Sequence, residues 1–159
     1  MDIFTPERRS LIMARIKSKN TRPEKRVRSL LHAMGYRFRL HRKDLPGTPD
    51  IVLPKYGTVI FVHGCFWHQH PDCKRASIPT SNEEFWRKKL TDNKRRDALV
   101  EKQLNDRDWK VIIIWECELK NPDSLCERIE LCLPRTQSLS GELSPVYGEK
   151  PDECLGKES

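Results

Sequence analysis

The chain has 159 residues, of which 30 are Lys or Arg and 23 are Asp or Glu, so its net charge is +7. This length fits one domain with a sizeable core and leaves little room for a second domain. The charged N-terminus lacks the apolar stretch of a secretion signal, and no uncharged apolar run approaches membrane-spanning length. We therefore expect a cytoplasmic protein, in which six cysteines favour metal binding or buried packing over disulfides.

The positive charge is unevenly distributed along the chain. Residues 136–159 contain two lysines and five acidic residues, so residues 1–135 carry a charge of +10. This last segment is rich in Ser, Gly, Pro and Glu, and we predict a poorly ordered tail. A basic body predicts a polyanionic partner, with nucleic acid the leading candidate.

Residues 1–20 form a basic arm with isolated apolar side chains. Such a segment is either solvated or lies along a phosphate backbone. The folded domain is predicted for residues 21–135. It begins with a helix that Thr21 caps and Gly35 ends, with one apolar face made of Val27, Leu30, Leu31 and Met34.

Three strands are predicted next, over residues 36–40, 50–53 and 58–63. The first alternates apolar and basic residues, and a turn at residues 46–49 (Pro-Gly-Thr-Pro) precedes the second. The third, which includes Val-Ile-Phe-Val, is β-branched and aromatic, as buried strands are.

A long helix is predicted from about residue 83 to 105, with Ser81 and Glu84 as its capping box. Its inward stripe contains two polar residues, Asn93 and Asp97, among apolar ones. Polar side chains facing a core need partners, and an active site supplies them; alternatively the stripe turns and both reach solvent.

Residues 109–116 are the strongest strand prediction, and their apolar run predicts a central position in the sheet. A last helix follows, with Asn121 as its cap and Pro122 in its first position. The order of elements predicts an α/β fold, a mixed sheet flanked by helices.

The loop after the third strand is dense in metal ligands. Cys65, His70, Cys73 and the distant Cys117 would make a closed tetrahedral site, which is typical of structural zinc. His68 could replace His70, since spacing alone leaves the choice open. The simplest alternative is a zinc knuckle that only staples the loop.

A second candidate site is acidic. Hairpin pairing would bring Asp50, at the start of its strand, near His63 at the end of the next. One carboxylate with a backbone carbonyl can hold magnesium, and Glu24 could add a second acid. Taken singly, each acid is more often a solvated surface carboxylate or a helix N-terminal acid.

Four segments together resemble the very-short-patch repair endonucleases: residues 45–50, residues 61–68, Phe85-Trp86 with Asn93 and Asp97, and Trp115-Glu116-Cys117. The resemblance implies a restriction-endonuclease-like core and magnesium-dependent nicking of DNA on the 5′ side of the thymine in a T·G mismatch. Such mismatches arise when 5-methylcytosine deaminates. The implied partner is double-stranded DNA, bound by a monomer, with contacts to mismatch-repair proteins as a further expectation.

The resemblance also implies roles for individual residues. The catalytic group is Asp50, His63, His68, Glu24, Asn93 and Asp97, with His68 as general acid/base and Asp50 and the Val62 carbonyl as ligands of two magnesium ions. The structural zinc ligands are Cys65, His70, Cys73 and Cys117. DNA contacts are implied for Phe66, Trp67 and Trp86 as wedges beside the mismatch, for Met13 as a wedge from the arm, and for Arg15, Lys17 and Lys19.

The sequence departs from the family pattern at one point. Two residues, Pro71 and Asp72, separate His70 from Cys73, where the family has one. This spacing makes His70 a less secure zinc ligand than the cysteines. Two rival functions also remain: a related restriction enzyme that cuts both strands, and a zinc-stabilised DNA-binding module without catalysis.

Overall fold

Residues 5–134, the part of the chain that the computed structural model describes, form a mixed sheet with helices on both faces. In chain order the elements are α1 (Pro6–Ala14), α2 (Arg22–Ala33), β1 (Arg39–Leu40), β2 (Ile51–Leu53), β3 (Thr58–His63), α3 (Glu83–Asn105), β4 (Lys110–Trp115) and α4 (Pro122–Cys132). The predicted tail lies outside the described residues. No helix among residues 5–134 combines the length and apolarity needed to cross a bilayer.

Helix α1 lies within the predicted arm, where the sequence analysis did not place a helix. Its start follows ordinary rules: the Thr5 side chain accepts a hydrogen bond from the Arg8 N–H, and Pro6 begins the helix. None of its residues is buried. The helix therefore presents its side chains to a cleft and to solvent.

The ends of the later helices follow the predicted signals, with one exception. Thr21 caps α2, and Asn121 caps α4. The capping box predicted for α3 is wrong, because Asn82 is the N-cap, in a left-handed conformation and without a side-chain cap bond. The Ser81 hydroxyl accepts a hydrogen bond from Arg9 Nη1 at 3.2 Å and so ties α1 to the start of α3.

The strands are ordered β1-β2-β3-β4. The first two pairs are antiparallel, and β3 pairs parallel with β4. The predicted first strand is reduced to the two residues that pair with β2, Arg39 and Leu40. Tyr36 is buried outside the strand, and its hydroxyl donates to the Leu133 carbonyl at 2.7 Å. The predicted central position of β4 is also wrong, because β4 is an edge of the described sheet. Its apolar run reflects helices covering both faces.

Two clusters of apolar side chains fill the two faces. One contains Val27 and Leu31 of α2 with Ile129 of α4, packed on Ile60 and Ile112 of the sheet. The other packs α3 on the opposite face, through a cluster of Leu45, Val52, Val59 and Leu104 with Val100, Trp109 and Val111 beside them. Burying each large side chain contributes about 1.5–3 kcal/mol.

The turn before β2 is held closely against α3. The Thr48 N–H bonds to the Leu45 carbonyl, and Gly47 has a φ of 71°. A Cβ at Gly47 would come within 2.4 Å of Val100 on α3, so glycine is needed for both the backbone and the packing. This contact fixes the chain just before Asp50.

Candidate functional site

A cleft of about 1460 Å³ opens between α1, the end of β3 and α3. The sheet supplies its floor, since Val111 and Ile113 of β4 and Phe61 and Val62 of β3 line it. Nearly all the residues predicted for catalysis face this cleft. We describe its acidic end, its histidine pair, its metal-ligand loop and its aromatic wall in turn.

The acidic end of the cleft is built by the β2–β3 hairpin. Ile51 pairs with Ile60, so Asp50 lies beside the end of β3, as predicted. The Val62 N–H donates to Asp50 Oδ2 at 2.8 Å. Burial raises the pKa of Asp50 to about 6, although the Val62 N–H favours the carboxylate. A buried carboxylate at this position favours a bound cation.

Two further side chains stand beside Asp50. Oxygen or nitrogen atoms of Asp50, Glu24 and His41 all lie within 4.8 Å of one another. Glu24, the predicted second acid, is almost completely buried, and its carboxylate caps α2 from within the first turn. His41 was missed by the sequence analysis, and nothing in its sequence context marks it, because only the fold brings residues 41 and 50 together.

The histidine pair lies next to this acid group. The rings of His63 and His68 stack with their centroids 3.7 Å apart. Burial and the neighbouring His68 lower the pKa of His63 to about 3, so His63 is neutral. Its Nδ1 is buried and has no hydrogen-bond partner among residues 5–134. This nitrogen is thus a buried polar atom without a hydrogen bond, which is uncommon in folded proteins.

His68 is held from α3. Its Nδ1 lies 2.6 Å from Asp97 Oδ2, and both side chains are one-quarter exposed. An ionised carboxylate only accepts hydrogen bonds, so Nδ1 carries the proton. Nε2 then has the lone pair in the neutral ring, which is the state a general base requires.

The second polar residue of the α3 stripe supports the same loop. Asn93 Nδ2 donates to the Trp67 carbonyl at 3.1 Å, and its Oδ1 accepts from Arg96 at 3.0 Å. The alternative in which Asn93 and Asp97 turn to solvent is therefore wrong. Both are half-buried and bonded to the loop that carries His68.

The Cys–His cluster (Cys65, His70, Cys73 and Cys117) closes that loop onto the end of β4. Its four ligand atoms lie within 4.8 Å of one another, and Cys117 Sγ is 3.3 Å from His70 Nδ1. His68 belongs to the other group, with His63 and Asp97. The geometry thus brings His70 rather than His68 to the cysteines, despite the longer spacing.

The donor set of the Cys–His cluster fits a metal. Burial raises the pKa of the Cys65 thiol to about 12, whereas the Arg75 N–H lowers that of Cys73. A thiol so reluctant to ionise needs a cation to become a thiolate ligand. The Trp115 ring, stacked on His70 at 4.3 Å, fixes the orientation of the imidazole. Three sulfurs and one nitrogen are a usual ligand set for structural zinc.

The aromatic rings of Trp67, Phe85 and Trp86 form one wall of the cleft, whereas Phe66, a predicted wedge, packs against two of them and does not line it. Phe66, Trp67 and Trp86 contact one another with centroids 5.2–6.1 Å apart. Trp86 is only 6% exposed, so it supports the other two rings. Phe85, beside it on α3, is half exposed and lines the cleft. The sequence analysis quoted Phe85 as part of a motif but gave it no role.

The arm contributes basic and apolar side chains to the opposite wall. Met13, half-buried on α1, and Lys17 and Lys19 after it line the cleft. Arg15 is exposed and does not line it. Lys89 of α3 also lines the cleft and was missed, since it looks like any lysine on a solvated helix.

The sequence of this chain is similar to those of known proteins over most of its length. Residues 1–75 match the family model described as DNA mismatch endonuclease Vsr. The type II nicking enzyme V.XorIIP of Xanthomonas oryzae pv. oryzae is 52% identical over 128 residues, covering 80% of this chain and 93% of that protein. The type II nicking enzyme V.NmeAIP of Neisseria meningitidis is 49% identical, with 80% and 91% covered.

A third relative carries the family's own name. The DNA mismatch endonuclease Vsr of Escherichia coli K12 is 40% identical over 134 residues, covering 81% of this chain and 85% of that protein. Identity at this level over this span implies a common fold, and the mixed α/β sheet agrees with it. The chain belongs to the Vsr family of DNA mismatch endonucleases, which have a restriction-endonuclease-like fold.

Proposed function

We propose that this endonuclease nicks one strand of double-stranded DNA on the 5′ side of the thymine in a T·G mismatch, with magnesium as its catalytic ion. The observation that carries the proposal is the convergence of Asp50, His63 and His68 in one cleft beside partly exposed aromatic rings. A carboxylate, a proton carrier and stacking surfaces are what a mismatch-directed hydrolase of phosphodiesters requires.

Within this proposal, Asp50 and the Val62 carbonyl hold the magnesium ion. The residues fit it, because magnesium takes oxygen ligands and the Asp50 carboxylate is buried with one oxygen bonded only to the Val62 N–H. When bound, the ion would stabilise the negative charge on the phosphodiester while the attacking water oxygen replaces the leaving oxygen.

His68 moves the proton in this scheme. Asp97 keeps the Nδ1 proton in place, so Nε2 is the atom that takes a proton from the attacking water and returns it to the leaving oxygen. His63, stacked against His68, is neutral and presents an unpartnered Nδ1. Its stacked ring limits the rotation of His68 and so helps to orient it.

The loop after β3 and the aromatic wall are the parts that we propose select the mismatch. Unstacking a base step costs a few kcal/mol and is cheapest at a mispair, so a wedge discriminates mismatched from paired DNA. Phe66 and Trp67 are the proposed wedges on one side, with Met13 on the other. Zinc at the Cys–His cluster would keep the loop rigid enough to hold these partly exposed rings in position.

The basic residues of the arm are proposed to bind the DNA backbone. Lys17, Lys19 and Arg15 contact phosphates, which positions the duplex without reading its sequence.

The test uses a plasmid that carries one T·G mismatch and an otherwise identical fully paired plasmid. With magnesium, the wild type should convert the mismatched plasmid to open circle and leave the paired plasmid supercoiled. Linear product from both plasmids would instead identify a double-strand-cutting restriction activity. Asp50→Asn serves as the matched inactive control.

A further inference from the structure

Trp115, the last residue of β4, lies between the Cys–His cluster and the histidine pair. The sequence analysis quoted it as part of a motif but gave it no role. Its ring stacks on the His70 imidazole, with centroids 4.3 Å apart and planes 16° apart. It also meets the His63 ring edge-on, at 5.4 Å and 73°. One indole therefore contacts a ligand of the proposed zinc site and a member of the histidine pair.

The four rings form a continuous row in the order His70, Trp115, His63 and His68. The last two stack at 3.7 Å, with planes 7° apart. His63 depends on ring packing for its orientation, because its Nδ1 has no hydrogen-bond partner among residues 5–134. The rings beside it are those of His68, Trp115 and Phe61, the last with its centroid 5.9 Å away. Of these three, Trp115 is the ring stacked on the Cys–His cluster.

The indole is carried by a firmly held part of the chain. His63 and Trp115 are paired in the parallel ladder of β3 and β4. The Trp115 N–H donates to Glu118 Oε2 at 2.7 Å, and the same oxygen accepts from Arg128 Nη2 at 2.9 Å. Arg128, on α4, also donates to the Ile113 carbonyl at 3.0 Å. Hydrogen bonds to charged groups are stronger than neutral ones, so α4 holds the end of β4 in place.

We propose that Trp115 is a positioning residue that couples the metal-bound Cys–His cluster to the histidine pair. Packed between His70 and His63, its ring keeps His63 stacked on His68. Trp115 does not line the cleft, so it acts through these rings and not on the substrate. The inference rests on the proposed function, because it concerns the proton carrier of that same site.

The experiment uses two substitutions of the indole and one control. Trp115→Leu keeps an apolar side chain but removes the aromatic ring, and Trp115→Phe removes one of the two fused rings. The control is Trp109→Leu, because Trp109 directly precedes β4, packs beside the apolar cluster under α3 and lies under Arg42. Zinc content, melting temperature and affinity for a T·G duplex are measured for each protein.

Two further measurements follow the histidine pair. The nuclear Overhauser effect (NOE) between the ring protons of His63 and His68 reports their stacking, in zinc-loaded protein labelled at histidine and without DNA or magnesium. Single-turnover nicking of the T·G duplex, with protein in excess, reports the chemical step.

Trp115→Leu should keep about one zinc per chain and bind the duplex as the wild type does, because the metal ligands and the cleft wall are unchanged. Its NOE should weaken, and its nicking should slow by about 3- to 12-fold, the factor that corresponds to one lost aromatic contact. Trp115→Phe should lie between Trp115→Leu and the wild type. Trp109→Leu should keep both the NOE and the rate.

An unchanged NOE or an unchanged nicking rate in a folded, zinc-loaded Trp115→Leu would overturn the inference. Loss of zinc from that variant would do the same, because Trp115 would then only support the metal loop. If Trp115→Leu does not fold, Trp115→Phe decides by the same measurements. The NOE needs neither DNA nor magnesium, so a wild type that nicks no mismatch would defeat the proposed function and leave this test in force.

Discussion

Replacing Asp97 by asparagine tests whether His68 acts through the hydrogen bond to α3. Asp97 Oδ2 is 2.6 Å from His68 Nδ1, a short bond to a charged acceptor. Such bonds contribute about 1.5–3 kcal/mol. If that energy is used to orient His68 and to stabilise its protonated form during reaction, Asp97→Asn should slow nicking by about 10- to 150-fold.

The assay is single-turnover nicking of a T·G duplex with protein in excess, so that the rate reports the chemical step. Asp92→Asn is the matched control, because Asp92 lies on the same helix and is exposed. The melting temperature of each variant shows whether the fold is intact. Only Asp97→Asn should lose activity.

A double-mutant cycle separates orientation of His68 from a general effect of charge. In a His68→Ala background, Asp97→Asn should change the rate by less than about twofold, because the interaction is already absent. The reasoning is refuted if Asp97→Asn nicks as fast as the wild type. It is also refuted if Asp97→Asn costs as much without His68 as with it.

Three further variants address the metal cluster, the acidic site and the aromatic wall. Cys117→Ser should release about one zinc per chain and lower the melting temperature, while Cys126→Ser, a free cysteine outside the cluster, should keep the metal. Asp50→Ala should abolish nicking but leave T·G duplex binding within a few-fold in a mobility-shift assay, because the role proposed for Asp50 is to hold metal and not DNA. Trp67→Ala should lower the preference for T·G over paired DNA by about tenfold or more, since stacking contributes about 1–3 kcal/mol per base, and should keep its zinc.

Each of these three has a result that contradicts it. Zinc retained in Cys117→Ser, measured by elemental analysis, would remove Cys117 from the ligand set. Comparable nicking by Asp50→Ala in magnesium would end the acidic-site hypothesis. Unchanged T·G selectivity in Trp67→Ala at a wild-type melting temperature would leave the ring without a recognition role, and loss of zinc or unfolding would make it a core residue.

Local signals in the sequence were enough to predict most elements. Thr21, Asn121 and the β-branched run of residues 58–63 act through hydrogen bonds and side-chain shapes within a few residues, so they need no knowledge of the fold. The bounds predicted for α3 were correct, but its capping box was not, because a contact with a distant residue engages Ser81. The Ser81 hydroxyl bonds to Arg9, a residue far away in sequence, and no local rule contains that contact.

The pairing of distant residues required the tertiary structure. Spacing favoured His70 as the partner of the cysteines but left His68 open as an alternative, and the placement of Cys117 and Asp97 around the loop separates the two. The apolar run of β4 indicated that helices cover both faces of the strand. It could not distinguish a central strand from an edge strand, because helices can cover both. The sequence alone thus determined the kinds of chemical groups in the cleft. The fold determined their partners, and it brought His41 to the acidic site, because contacts between remote segments leave no periodic pattern along the chain.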